Sequence, residues 1–190
     1  APLTQTLNQL LQSKSDPKSF IYTVNAGFIP PDHWTQHPEI GGGRLLGEGC
    51  HFIDLLRFLA ACPIQKASVQ YSQSPGAGSM DTFSVQLSFA DGSQGTVHYF
   101  ANGSKSFPKE RLEVFCGGGV LQLDNFRTLQ AFGWQGFSKQ KSSSQDKGHE
   151  QEMQSLVNAL KNGNSSPIPF EDIVEVTEVC LALVETRGYS

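Results

Sequence analysis

The stretch from residue 64 to residue 132 consists of short apolar segments separated by turn residues, and this pattern constrains the fold most strongly. Six segments have the length and alternation of β-strands: Ile64–Tyr71, Thr82–Phe89, Gly95–Phe100, Arg111–Phe115, Val120–Leu123 and Thr128–Phe132. Turn signals separate them, at Pro75-Gly76, Asp91-Gly92, Asn102-Gly103, Gly117-Gly118-Gly119 and Asp124-Asn125. Because parallel neighbours need crossovers of about a dozen residues, these short connections predict an antiparallel meander.

Helical patterns flank this run of strands. Leucines at helical spacing predict a short amphipathic helix near residues 3–11, and almost continuous apolar residues predict a buried helix over about residues 45–60 that Pro63 stops. Two more helices close the chain, one over about residues 148–161 and one after Pro169. Residues 19–24 have strand composition, whereas residues 25–43 and 139–147 are typical of loops.

This order of elements predicts an α+β fold, an open, mainly antiparallel β-sheet with helices packed on one face. A length of 190 residues with 38% hydrophobic content suits one domain with a sizeable core. The second face of such a sheet commonly pairs with another subunit, so we expect a homo-oligomer formed through the open sheet face.

Charge and cysteine usage exclude several classes of partner. The net charge of −4 disfavours nucleic acid and anionic lipid, since both bind basic surfaces. Apolar runs stay well below the roughly 18 residues that a membrane span needs, so no membrane is expected. The four cysteines are scattered without a CxxC pair, which predicts free thiols, no structural zinc site and a cytoplasmic protein. Without an initiator Met or a visible signal peptide, the chain is interpreted as a piece of a longer protein.

The richest candidate site lies between Asn25 and Asp54. Glu48, His51 and Asp54 stand three residues apart on a predicted helix, so they can share one helical face. Carboxylates beside a histidine can fix its tautomer and raise its basicity, as a proton-transferring group needs. The same residues could instead form a polar stripe that ties a core helix to neighbouring loops, and the pattern alone leaves both interpretations open.

Nucleotide and metal motifs are not recognisable in the sequence. No stretch follows GxGxxG or GxxxxGK[ST], so no cofactor-binding residue is expected in this chain. Gly117–Gly119 is interpreted as a turn between strands. His33 and His37 lie in a proline-rich irregular segment, which disfavours a metal site. A metal-dependent hydrolase built on Glu48, His51 and Asp54 is one alternative, and it requires a bound metal.

GGGRLLGEGCHFID (residues 41–54) resembles the C-terminal domain of the Gfo/Idh/MocA family, the glucose–fructose oxidoreductase and inositol dehydrogenase group. The strand–glycine–strand unit EVFCGGGVLQLDNF (residues 113–126) and the closing helix pair (residues 149–188) resemble the same domain, in the same order. The resemblance covers essentially the whole chain. NAGFIPPDHW and YFANGSKSFPKERLEVF are similar, more narrowly, to long proteins in which this module follows an alcohol-dehydrogenase-like half.

The resemblance implies that residues 1–190 form a single C-terminal substrate-binding and oligomerisation domain. In the family, an N-terminal Rossmann domain of the same polypeptide binds NAD or NADP and supplies a catalytic Lys, and both are absent here. The parent protein would therefore be an NAD(P)-dependent dehydrogenase acting on a sugar, inositol or nucleotide-sugar hydroxyl, and the isolated chain would be inactive. A non-catalytic binding or assembly module of the same fold is the second hypothesis.

Site residues follow from the resemblance and from side-chain chemistry. His51 becomes the candidate catalytic residue, with Glu48 setting its charge. His33, Trp34, Arg44, Asp54 and Lys105 are the candidate substrate-binding residues, with Trp34 as an apolar platform for a sugar ring. Their simpler roles would be loop packing for His33 and Trp34, a salt bridge for Arg44 and a solvated turn charge for Lys105. One departure stands out: the family's Asp lies four residues before the His, where this chain has Gly47.

Overall fold

The computed structural model of the chain describes residues 1–37, 39–72, 81–186 and 188–189. Within these ranges the α-helices are α1 (Pro2–Gln12), α2 (Cys50–Ala60), α3 (His149–Asn162) and α4 (Phe170–Thr186). The strands are β1 (Ser19–Asn25), β2 (Ile64–Tyr71), β3 (Phe83–Phe89), β4 (Gln94–Phe100), β5 (Glu110–Cys116), β6 (Gly119–Asp124), β7 (Thr128–Phe132), β8 (Lys139–Lys141) and β9 (Gly188–Tyr189). The predicted Pro75-Gly76 turn lies outside the described residues.

The strands form one open sheet in the order β8-β7-β6-β5-β1-β4-β3-β2-β9. Neighbouring strands are antiparallel except β1 and β4, which run parallel. The predicted open, mainly antiparallel sheet is therefore confirmed. The prediction of one uninterrupted meander is wrong, because β1 lies between β4 and β5. The 101–109 connection crosses the end of β1, where the Asn25 amide donates hydrogen bonds to the carbonyls of Ser104 and Phe107.

Tight turns join the strands of the β5–β6–β7 meander. Gly117 and Gly118 have φ values of 53° and 79° and connect β5 directly to β6, so the triple glycine is a hairpin turn. Asn125 and Phe126 also have positive φ values, between β6 and β7. Residues 139–147 were expected to form a loop, but 139–141 pair with β7 as an edge strand. That strand is short, polar and lysine-rich, as edge strands often are, so its sequence lacks the apolar alternation of a central strand.

The hydrophobic core lies on one face of the sheet, beneath α1, α2 and α4. Every second side chain of the central strands points into it: Phe20, Tyr22, Val24, Phe83, Val85, Leu87, Val97, Tyr99, Leu112 and Val114 are all buried. Helix α2 contributes Phe52, Ile53, Leu56 and Leu59. Arg57 of α2 forms ion pairs with Asp172 and Glu175 of α4 at 2.8 and 2.9 Å, which ties the two helices together. None of the described helices is long and apolar enough to cross a membrane.

Gly95 sets how closely α2 approaches the sheet. A Cβ atom at this position of β4 would lie 3.0 Å from Cδ1 of Leu56 and 3.4 Å from Cβ of Phe20. A glycine in a central strand commonly marks such a close approach. The close packing of α2 on the sheet therefore depends on the absence of a side chain at Gly95.

We expect Gly95→Val to destabilise the domain by about 1–3 kcal/mol, because the added methyl groups overpack the contact between Leu56 and the sheet. The free energy of unfolding in urea measures the effect. Thr96→Val, at the next residue on the opposite face of β4, is the matched control and should change it by less than about 1 kcal/mol. Equal losses in both variants would show that Gly95 does not set the helix position.

Candidate functional site

The loop of residues 26–44, which precedes the candidate site, is held in place by two close contacts. The side chain of Gln36 donates to Asp81 at 2.6 Å, which ties a short 3₁₀ turn at Trp34–Gln36 to the residues before β3. A Cβ at Gly41 would lie 2.4 Å from Cα of Thr35, so only glycine permits the chain to return this closely. A π turn over Leu45–Gly49 then precedes α2, and π turns occur frequently at functional sites.

Glu48, inside this π turn, is the centre of a polar cluster. One carboxylate oxygen, Oε1, accepts from Nζ of Lys109 at 2.7 Å. The other, Oε2, accepts from the hydroxyl of Tyr99 at 2.5 Å and lies 3.2 Å from the guanidinium of Arg44. Arg44 is almost completely buried, with 4% of its side chain exposed, and its guanidinium lies 5.0 Å from the Tyr99 ring centre. Two cations and one phenol thus share a single carboxylate.

These contacts determine the charge state of the cluster. Burial alone would raise the pKa of the Glu48 carboxyl, but the hydrogen bonds from Lys109 and Tyr99 and the charge of Arg44 outweigh it, so that pKa is lowered. Burial and the neighbouring Glu48 raise the pKa of the Tyr99 phenol. Near neutral pH the carboxylate is therefore ionised and the phenol is a hydrogen-bond donor.

His51 lies in the first turn of α2 and is exposed, as is Asp54 one turn later. Among the described residues neither a hydrogen bond nor an ion pair joins the two side chains, so their predicted pairing stays a prediction. Partial desolvation raises the pKa of the Asp54 carboxyl above its ordinary value. In the described residues no hydrogen bond joins Glu48 to His51, and both Glu48 oxygens are engaged by other residues. Glu48 can therefore influence His51 only through space.

The remaining predicted residues are more dispersed. His33 caps the 3₁₀ turn, its Nδ1 accepting from the backbone N–H of Thr35, and its ring lies 5.8 Å from the ring of Trp34. Both side chains are exposed, as is that of Lys105 in the β4–β5 connection. Of the predicted site residues, the structure thus joins Arg44 with Glu48 and His33 with Trp34. The salt bridge considered for Arg44 is present.

Two residues of the cluster were not predicted: Tyr99 and Lys109. A second cluster, which also joins a glutamate to a tyrosine and a lysine but lacks an arginine, lies beside them: the buried Glu110 accepts from Tyr22 at 2.7 Å and from Lys147 at 2.5 Å. The neighbours Lys109 and Glu110 belong to different clusters. No local motif announces either cluster, because each joins residues far apart in the sequence.

Nucleophilic and metal chemistry gain no support from the geometry. Burial raises the pKa of the Cys50 thiol, which keeps it protonated and unreactive. All four cysteines are free, as predicted. Within the described ranges no three His, Cys, Asp or Glu side chains are grouped so that they could hold a metal ion, so the hydrolase alternative lacks its ligand set.

Comparison with known proteins identifies the class. The GFO/IDH/MocA C-terminal domain matches residues 6–122, and the chain belongs to this family, as its sequence resemblance indicated. No curated protein matches the sequence.

Solved structures share the fold at low sequence identity. Aldose-aldose oxidoreductase from Caulobacter crescentus, complexed with glycerol, superposes with a TM-score of 0.79 at 15% identity over 98% of this chain and 60% of that one. An oxidoreductase from Agrobacterium radiobacter, in complex with NAD+, L-tartaric acid and magnesium, gives 0.74 at 17% identity over 98% and 61%. An NAD binding oxidoreductase from Klebsiella pneumoniae gives 0.77 at 19% identity over 100% and 63%. The chain therefore spans about three fifths of the length of these oxidoreductases.

Replacing the central carboxylate tests the electrostatics of the site. Glu48→Gln should destabilise the domain by about 2–3 kcal/mol at about pH 7, since it leaves the buried Arg44 without its counter-charge. The folded pKa of Glu48 lies below its ordinary value of 4.5, so the stabilisation is complete above that value and disappears as the pH falls through the folded pKa. The stability difference between wild type and variant should therefore shrink in acid.

Urea unfolding at several pH values between about 3 and 7 measures this difference. Glu113→Gln is the control. Glu113 lies in β5 and takes part in none of the ion pairs found in the described residues, so its replacement should lower the free energy of unfolding little at any pH. A loss in Glu48→Gln that stays constant down to the acid limit would contradict the assigned charge state.

Proposed function

We propose that this chain is the substrate-binding and subunit-pairing domain of an NAD- or NADP-dependent oxidoreductase that acts on a hydroxyl group of a sugar-like alcohol. The observation that carries the proposal is the exposed His51 on α2, one helical turn after Glu48 and its Lys109 and Tyr99 partners. These residues lie within the segment that matches the family. An exposed imidazole is available to a reacting hydroxyl, and the partly buried Glu48 cluster three residues earlier in the chain fixes nearby charge.

The chemistry assigned to this chain is proton transfer and positioning. When the substrate alcohol is oxidised, a nicotinamide held by another domain would supply the acceptor for the hydride that leaves the alcohol carbon. A ring nitrogen of His51 accepts the proton of the hydroxyl while the C=O bond forms. Lys109 has 43% of its side chain exposed and donates to substrate oxygen, with Glu48 holding its ammonium in place. Glu48 is thus a positioning residue that acts on His51 through space.

A polyhydroxylated substrate suits the exposed polar and aromatic side chains of the 26–44 loop. Trp34 presents an open indole surface suited to a sugar ring, and His33 beside it is a hydrogen-bond donor or acceptor. Arg44 is too deeply buried to be a general substrate donor, so its assigned role is to balance Glu48. Asp54 and Lys105 remain predicted substrate contacts. The Caulobacter crescentus and Agrobacterium radiobacter structures contain glycerol and L-tartaric acid, which both carry hydroxyl groups on neighbouring carbons.

Hydride transfer needs a second domain. The remaining two fifths of the compared oxidoreductases lies outside the match, and the sequence of this chain has no nucleotide motif. The parent protein would contain a Rossmann domain that forms the other wall of the cleft, and the isolated chain would be inactive. A cytoplasmic location stays a prediction, consistent with four free cysteines.

The decisive variant is His51→Ala in the parent protein, followed by nicotinamide absorbance against sugars, inositols and nucleotide sugars. Loss of a general acid–base group should reduce kcat about a hundredfold or more while the cofactor still binds. His98→Gln, on the opposite face of the sheet, is the matched control and should retain turnover. A fall in kcat confined to His51→Ala supports the proposal, and equal turnover in both variants would return His51 to a surface role.

A non-catalytic assembly module is the second candidate, and Gly47 at the position of the family's Asp favours it. The same assay distinguishes the two functions. Turnover by the wild-type parent excludes the module, whereas a parent that binds neither nicotinamide nor any polyol supports it.

Subunit pairing is proposed to use the face of the sheet that faces away from the helices. Phe115, Val120 and Phe132 occupy matching register positions on β5, β6 and β7 and form an apolar row on that face. Phe115 and Phe132 are exposed. Such a row, flanked by polar residues, is suited to a symmetric partner that presents the same row.

Phe132→Lys in the parent protein should therefore shift the assembly to a smaller species in analytical ultracentrifugation, because a charge would be buried without a partner. Phe107→Lys, which changes an exposed phenylalanine in the β4–β5 connection, is the control and should keep the wild-type mass. An unchanged mass in Phe132→Lys would place the subunit contact elsewhere.

A further inference from the structure

Helix α3 carries an apolar stripe that the described part of the chain leaves uncovered. Met153, Leu156, Val157 and Leu160 recur at the spacing of one helical face. All four are exposed, from 37% for Val157 to 73% for Leu160. Ala159 is the only buried residue of this helix. Helices α1, α2 and α4, by contrast, each place several apolar side chains in the core.

A helix of this kind needs a surface to pack against. Its 14 residues are close to the length at which an isolated helix is only marginally stable in water, because most helical stability in proteins comes from packing an apolar face. Local signals for helix formation are present: Glu150 and Glu152 lie in the first turn, and Gly163 caps the end in the left-handed conformation. These signals are worth only a fraction of what burial of four large apolar side chains provides. The stripe is therefore one half of a packing contact.

The position of Ala1 indicates what covers the stripe. A Cβ atom at Gly148, the residue immediately before α3, would lie 2.0 Å from the backbone nitrogen of Ala1. A polypeptide joined to Ala1 consequently leaves this domain beside the first turn of α3. Two further apolar side chains are exposed after α3, Ile168 in the connection and Phe170 at the start of α4. A domain attached at Ala1 is thus held at high local concentration next to the stripe.

We infer that the α3 stripe, defined as Met153, Leu156, Val157 and Leu160, is the docking surface for the nucleotide-binding domain of the same polypeptide. This inference rests on the proposed function, because that function requires such a domain. In this arrangement the preceding domain packs against α3, and the cleft beside α2 stays open to substrate. A second copy of this chain is the competing occupant, and the experiment separates the two.

The test measures backbone amide hydrogen exchange in the parent protein with and without Leu160→Asp. In the wild type we expect slow exchange along α3, because a docked helix opens only when the contact opens. Leu160→Asp places a charge in the contact and should accelerate exchange in α3 about tenfold or more, with the strands unaffected. Asn158→Asp adds the same charge on the opposite side of the same helix, where its partner is Gln154, and should leave exchange unchanged.

Dilution distinguishes the occupants. Docking within one polypeptide is independent of protein concentration, whereas protection by a second copy weakens as the protein is diluted. Protection that persists on dilution and is lost in Leu160→Asp supports the inference. Rapid exchange along α3 in the wild type, or protection that dilution removes, overturns it. Nicotinamide binding and turnover measured on the same samples test the proposed function separately, since a parent can protect α3 without turning over and can turn over with α3 unprotected.

Discussion

Phe52 of helix α2 packs against two buried tyrosines of different strands, with ring centres 5.1 Å from Tyr22 of β1 and 6.0 Å from Tyr99 of β4. Tyr99 in turn stacks on Phe83 of β3 at 4.8 Å. This aromatic contact fixes the rotation of α2 on the sheet. Because successive helical residues are rotated by about 100°, burial of both Phe52 and Ile53 leaves the preceding His51 on the solvent side of α2. The exposure of the candidate catalytic residue is thus a consequence of core packing.

The two tyrosines also connect the core to the charges above it. Each phenol donates to a carboxylate that a lysine neutralises: Tyr99 to Glu48 with Lys109, and Tyr22 to Glu110 with Lys147. Hydrogen bonds to an ionised acceptor in a partly buried site are stronger than neutral ones, so each cluster holds its lysine in a defined position. Since Lys109 and Glu110 are consecutive, a shift at the start of β5 would disturb both clusters together.

Local sequence patterns predict where the helices and strands lie better than they predict which strands pair with each other. Alternation and turn residues place most strands within about two residues, because each strand shows its buried and exposed faces in its own side chains. The position of β1 between β4 and β5 depends on pairing between residues far apart in the sequence, which no local pattern predicts. The same limit applies to the site: Glu48 and His51 lie three residues apart, so a local pattern pairs them, whereas Tyr99 and Lys109 reach Glu48 across 51 and 61 residues of sequence. The exposed stripe of α3 is visible as periodicity, but its lack of a partner appears only in three dimensions.

Gly47 shows how the site can depart from the family pattern without strain in the chain. A Cβ at this position would meet only the carbonyl oxygen of Gly41, at 3.7 Å, which is an ordinary contact. A side chain would therefore fit, so packing does not require the glycine. The carboxylate of the neighbouring Glu48 is bound by Tyr99, Lys109 and Arg44. Because Glu48 lies in a π turn, the angle between its side chain and that of His51 differs from the angle in an ideal α-helix. Packing thus leaves room for a side chain at the position of the family's acid, while the Glu48 carboxylate next to it is already held by three other side chains.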